Sequence, residues 1–168
     1  MNKKSKIPFA LFVISFMLAG CILQEREPNN SINTAQMLPV PAHVTASQIN
    51  NDEYGTIQVT YCYGFTCGVI DLSCHDYYRF TVTTFGRYTI ALDFEDDAYD
   101  MGLYLIQPQQ DGGYELLQYA EEHISGYEGV LDVGDTLELG TYYIGVTSFA
   151  LTTDVPYTLR LELAVAYD

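Results

Sequence analysis

The sequence predicts an all-β protein, an antiparallel β-sandwich, on three observations. From Gly55 onward apolar and polar residues alternate with a period of two, glycine-containing turns recur between the alternating runs, and no long amphipathic helical pattern interrupts them. Tyr78, Phe80 and Val82 share one face and Arg79 and Thr81 the other; Tyr88, Ile90, Leu92 and Phe94 repeat the pattern. Thr84-Phe85-Gly86-Arg87 is short enough to join these two runs as a hairpin. Further strands are expected at Leu103 to Gln107, Tyr114 to Tyr119, Thr136 to Leu139, Tyr142 to Val146 and Pro156 to Leu163, with turn chemistry at Gly112-Gly113, Gly134-Asp135 and Leu139-Gly140. The last strand turns Tyr157, Leu159, Leu161 and Leu163 inward. Ser31 to Ala46, which carries Pro39 and Pro41, reads as a short helical turn or irregular entry segment.

The N-terminus predicts a location. Lys3, Lys4 and Lys6 precede an apolar run from Ile7 to Leu18, and Leu18-Ala19-Gly20-Cys21 closes it with small residues and a cysteine. That order is a bacterial lipoprotein signal, and the run is too short to span a bilayer stably. The expected organisation is therefore a signal peptide at 1–20, a lipidated N-terminus and entry segment at 21–54 with Cys21 carrying fatty acyl chains such as palmitate, and the sandwich at 55–168. The lipid would hold the protein on a membrane of the cell envelope. Ile22 rather than Asp follows the cysteine, which by resemblance to sorting rules favours the outer membrane in a Gram-negative cell.

Beyond residue 20 the chain has four arginines, Arg26, Arg79, Arg87 and Arg160, against 22 acidic residues, a formal charge of −18. Binding phosphate needs clustered cations, so nucleic acid is excluded as a partner. An apolar fraction of 48% and an aromatic fraction of 14% place this acidity on a folded body of one domain rather than on a disordered chain.

With Cys21 lipidated, Cys62, Cys67 and Cys74 remain. A disulfide between two of them is expected in an oxidising compartment, with Cys62 and Cys67 favoured because Gly64 eases a tight turn; a zinc site completed by His75 is the competing reading. The chain holds 15 tyrosines and no tryptophan, and Tyr61, Tyr63 and Phe65 flank the first two cysteines in an expected exposed loop, a candidate binding surface. Asp93 to Asp100 is the densest acid run but lacks the spacing of an EF-hand and reads as a solvated loop. His43, His75 and His123 fall in no hydrolase or metalloprotease motif.

Several motifs, in order, carry a resemblance. Glu25-x-Glu27-Pro28-Asn29-Asn30, Ala35, Gly55-Thr56-Ile57, Asp76-Tyr77-Tyr78-Arg79-Phe80-Thr81-Val82, Gly86-x-Tyr88-Thr89-Ile90, Gly140-Thr141-Tyr142-Tyr143-Ile144-Gly145-Val146 and Tyr157-Thr158-Leu159 together resemble the bacterial pre-peptidase C-terminal domain over residues 25–165. The resemblance implies a jelly-roll-like β-sandwich, related to the collagen-binding domains of clostridial collagenases and often carried as an accessory module on secreted proteases. It also implies a calcium site on Glu25, Glu27, Asn29, Asn30 and Asp76, residues dense in the hard oxygen donors calcium takes. Two departures stand out. Cys74-His75-Asp76 replaces the usual Asp-x-Asp, leaving open whether Asp71 or Ser73 supplies the missing donor, and Tyr61 to Ser73 is an insertion. The plainer alternative is that Glu25 to Asn30 is a solvated lead-in whose Pro and Asn set a turn.

The expected function is that of a lipid-anchored, non-enzymatic envelope module recognising a protein or polysaccharide. The alternatives are a structural lipoprotein docked on a membrane complex and an atypical hydrolase.

Overall fold

Burying one face of each alternating run requires a second layer, and the chain supplies it as two mixed β-sheets packed face to face. The computed structural model describes residues 22–46, 54–94, 101–122, 129–149 and 156–167, with the side chains of 122 and 129–131 excepted. Twelve strands form among them: β1 (Ile22–Gln24), β2 (Gln36–Leu38), β3 (Ala42–Ala46), β4 (Gly55–Tyr63), β5 (Thr66–Cys74), β6 (Asp76–Val82), β7 (Gly86–Phe94), β8 (Met101–Pro108), β9 (Tyr114–Glu122), β10 (Gly129–Leu137), β11 (Gly140–Ser148) and β12 (Tyr157–Ala166). One sheet has the order β1-β3-β12-β7-β10 and the other β2-β6-β11-β8-β9-β4-β5. Most pairings are antiparallel, as expected, but β1 with β3, β2 with β6 and β4 with β9 run parallel.

The main core lies between the sheets. Tyr78, Phe80 and Val82 of β6 face Tyr88, Ile90 and Leu92 of β7, joined by Leu103, Leu105, Ile144, Val146, Leu159 and Leu161. Each such side chain contributes about 1.5–3 kcal/mol by leaving water. Phe80 is the centre of an aromatic group, stacked on Tyr142 at 5.7 Å and tilted against Tyr88 at 6.2 Å. This packing corrects the expected hairpin. The runs at 78–82 and 88–94 belong to different sheets, so Thr84 to Gly86 crosses between layers, and the two apolar faces meet across the core instead of lying side by side.

The entry segment is also more ordered than its prolines suggest. Ser31 to Thr34 makes one turn, closed by Thr34 N donating to Ser31 O at 3.0 Å, but β1, β2 and β3 on either side of it are hydrogen-bonded into the two sheets.

The insertion from Tyr61 to Ser73 is not a loop but most of a second feature, the β4–β5 hairpin. Cys62 and Cys67 lie directly opposite each other in it, with Cα atoms 4.1 Å apart, and form the disulfide. Gly64 makes the turn between them at φ 61°, a left-handed conformation that glycine adopts without a steric penalty. At this tip Tyr63 is 81% and Phe65 110% exposed.

The hairpin's other end curls over the outer face of the seven-stranded sheet. Cys74, the last residue of edge strand β5, packs on Gly145 of β11, where an added Cβ would meet its Sγ at 2.5 Å, so only glycine fits. Beneath the hairpin a second core gathers Ile32, Val59, Leu72, Cys74, Tyr77, Tyr104, Ile106 and Leu116. This explains why Met101 to Ile106 is buried without interruption: successive residues of β8 alternate between two cores, not between core and water.

Candidate metal site

Where β1 ends, the chain bends toward the start of β6. Glu25 N donates to Thr45 O at 3.2 Å, and Tyr77 N donates to Asn29 O at 2.8 Å, which fixes residues 25–29 against Asp76. The result is a cluster of three carboxylates: Glu25, Glu27 and Asp76 each offer an oxygen, all within 4.8 Å of one another. Asp76 is 1% exposed, Glu25 half-buried and Glu27 exposed, so the cluster opens to solvent on the Glu27 side.

Asn29, fully buried, organises it. Its backbone N–H donates to Glu27 Oε2 at 3.1 Å and its Nδ2 to Glu25 Oε1 at 3.0 Å, while its Oδ1 has no hydrogen-bond partner. An acceptor left unpaired in the interior is costly. From the other side Tyr157 OH donates to Asp76 Oδ2 at 2.7 Å and lies 3.4 Å from Glu25 Oε1, and Tyr78 OH donates to Glu25 Oε1 at 3.1 Å. The two phenol oxygens are also within hydrogen-bond reach of each other, an arrangement that competes with donation to the carboxylates because each hydroxyl has one proton.

The electrostatics follow from packing like charges in a dry site. Burial, then the charge of Glu25, pushes the Asp76 carboxyl up to about 9. Burial also raises Glu25, partly offset by its hydrogen bonds with Asn29, Asp76 and Tyr78. Desolvation lifts Tyr78 and Tyr157 well above the usual phenol range, so both remain donors. Such a group needs a proton or a cation at its centre. Its carboxylate oxygens and the unpaired amide oxygen are the donor types a hard metal ion takes, and the cluster can hold one.

Of the residues the resemblance nominated, Glu25, Glu27, Asn29 and Asp76 come together, and the backbone carbonyl of Asn30, which follows them, lies against Gly55. Asp71 and Ser73 do not fill the missing position: Gln58 Nε2 donates to Asp71 Oδ1 at 3.2 Å and Ser73 Oγ bonds Thr56 Oγ1 at 2.8 Å, both on the β4–β5 hairpin. Tyr78 and Tyr157 read in the sequence only as inward strand residues; that they follow or face Asp76 from neighbouring strands is a property of the fold. The zinc reading is not assembled. Cys62 and Cys67 are oxidised, Cys74 is buried in the second core, and His75 Nδ1 bonds Thr147 Oγ1 at 3.0 Å and accepts from Ser148 N at 3.2 Å. Cys21, His123 and residues 95–100 of the acid run lie outside the described residues.

No family model matches the sequence, and no curated protein is similar to it. Among solved structures, the pre-peptidase C-terminal domain of a collagenase from Bacillus anthracis superposes with a TM-score of 0.50 at 15% identity, covering 82% of this chain and 100% of that one. A surface-associated copper-binding protein of Methylomicrobium album BG8 gives 0.47 at 8% identity over 77% of this chain and 97% of its own. A mitogen from Yersinia pseudotuberculosis gives 0.42 at 15% identity over 78% and 92%. At these identities the likeness is one of fold: the chain is a β-sandwich of the kind seen in a pre-peptidase C-terminal domain.

Proposed function

We propose that the protein is a lipid-anchored, non-enzymatic binding module of the cell envelope whose entry segment is clamped to the sandwich by calcium. The observation that carries this reading is the three-carboxylate cluster, with the buried amide of Asn29, its Oδ1 unpaired, bonded to Glu25 beside it. Calcium takes six to eight oxygen ligands and tolerates irregular geometry, so three carboxylates, one amide oxygen and water suit it better than a metal demanding nitrogen or sulfur. Glu25 lies four residues after Cys21, a span of at most about 14 Å of extended chain. Holding Glu25 on Asp76 would therefore fix how the domain stands on its membrane. The disulfide-closed tip with Tyr63 and Phe65 outward is the surface best suited to recognise a protein or polysaccharide, since rigid aromatics lose little entropy on binding. The same exposed aromatics favour, as the second reading, constitutive docking on a membrane complex.

Two measurements test the proposal. Cys21→Ser is expected to move the protein from membranes to the soluble fraction, because each buried acyl methylene contributes about 0.8 kcal/mol to anchoring. Membrane retention of the variant after a carbonate wash would reject the anchor. The second is a thermal melt of that soluble variant. At 1 mM calcium and a dissociation constant of about 0.1 mM, binding adds about 1.4 kcal/mol, a rise of a few degrees. No rise, or one that persists in Glu25→Gln with Glu27→Gln, would reject the calcium site.

A further inference from the structure

The β4–β5 hairpin does not close completely over the second core. It leaves a groove of about 410 Å³ between itself and the outer face of β8 and β9, in the size range of small-ligand sites. Leu72 and Leu116 form its apolar floor. Four aromatic rings line it: Tyr61 and Tyr119 meet edge to face at 5.7 Å, Tyr104 is buried, and Phe149, like Tyr119, is 47% exposed. The charged side chains at the groove are both carboxylates, Asp71 and Glu121, and no basic residue lines it among the described residues. Tyr104 OH donates to Glu121 Oε1 at 2.7 Å and Gln58 Nε2 to Asp71 Oδ1 at 3.2 Å, so both carboxylates are held in place at the groove.

We infer that this groove binds an alkylammonium group, a cationic nitrogen carried on a short apolar stem. Aromatic faces attract a cation through their quadrupole, and adjoining carboxylates add direct charge pairing. The apolar floor takes the stem. An anionic ligand is opposed by both carboxylates and by the −18 body, whose field concentrates cations at its surface. A neutral sugar could use the rings but gains nothing from the excess negative charge. Lysine side chains of a basic protein and free small amines carry the same chemistry. The inference deepens the binding-module reading by naming the ligand class, and it rests on that reading only for its physiological setting.

The test is a titration of the full-length exported protein in neutral detergent, with calcium present, followed by the ring resonances of its tyrosines. Butylammonium and an N-acetylated, amidated lysine tripeptide are the probes; 1-pentanol, glucose and potassium chloride are the controls. Saturable shifts with the ammonium probes alone are expected, weakened about three- to ten-fold by Glu121→Gln and by Tyr119→Leu. Tighter binding of the tripeptide than of butylammonium identifies a protein lysine as the source, and the reverse a free amine. Equal shifts with pentanol, with glucose or with potassium, or none with the ammonium probes, overturn the inference. The calcium melt reads the Glu25, Glu27 and Asp76 cluster instead, so either result can fail while the other stands.

Discussion

In metal-free buffer the folded protein is expected to lose thermal stability as the pH rises from about 4 to about 9. Asp76 has an ordinary carboxyl in the unfolded chain, 3.8, but in the fold burial and Glu25 raise it to about 9. Over that window the native state keeps a proton the unfolded state has released, so each added pH unit costs up to about 1.4 kcal/mol per proton. The contribution is fully present below the unfolded value and gone above the folded one. Glu25, raised in the same direction, adds to the slope. His75 works in the opposite sense: burial lowers it, so it favours folding as the pH rises through about 6.5. A cation among the carboxylates would replace the proton and flatten the decline, restoring most stability near pH 8. Melts across pH 4–9 in chelator and in calcium read this directly. Asp76→Asn should remove most of the decline, leaving the smaller part that Glu25 contributes and the rise from His75. A flat chelator profile in the parent protein would show that Asp76 is not a buried, proton-holding carboxyl.

Phe80→Ala is expected to be the most destabilising single substitution at the centre of the sandwich, at about 3–5 kcal/mol. The ring is fully buried and touches Tyr142 and Tyr88, one from each sheet, so its loss leaves a cavity that two twisted sheets cannot jointly collapse. For a domain of this size that is a fall of roughly 10–20 °C in melting temperature. Arg160→Ala breaks the ion pair with Asp93, whose Nε–Oδ2 distance is 2.9 Å, but both groups are partly exposed and the change should stay under about 1 kcal/mol. Similar losses for the two variants, by chemical denaturation, would place the mechanical centre of the fold elsewhere.

The layered architecture was legible because period-two alternation is local. Tyr78 to Val82, Tyr88 to Phe94 and Tyr157 to Leu161 announce their buried faces in sequence, and all are buried as expected. What alternation cannot encode is which strand pairs with which. A short Thr84-Phe85-Gly86 link serves a hairpin or a crossover equally well, and the choice is made by Phe80 meeting Tyr88 across the core. The second core was hidden for a related reason. β5 is mostly exposed, and its Leu72 and Cys74 become buried only because the sheet curls. The carboxylate cluster was readable through its motif, Glu25 to Asn29 with Asp76. The donors that complete it, Tyr78 and Tyr157, sit 79 residues apart and meet only in the folded chain.

The place of Cys74 shields the hairpin's disulfide from exchange in the folded chain. It is a reduced thiol with no exposed surface, its ionisation pushed far up by burial, and so inert once the hairpin has curled onto Gly145. Before that closure the same sulfur is a competent nucleophile toward the bond between Cys62 and Cys67, seven residues upstream of it at the nearer cysteine. In the fold that route is closed, because the space a side chain at 145 would take is filled by the Cys74 sulfur.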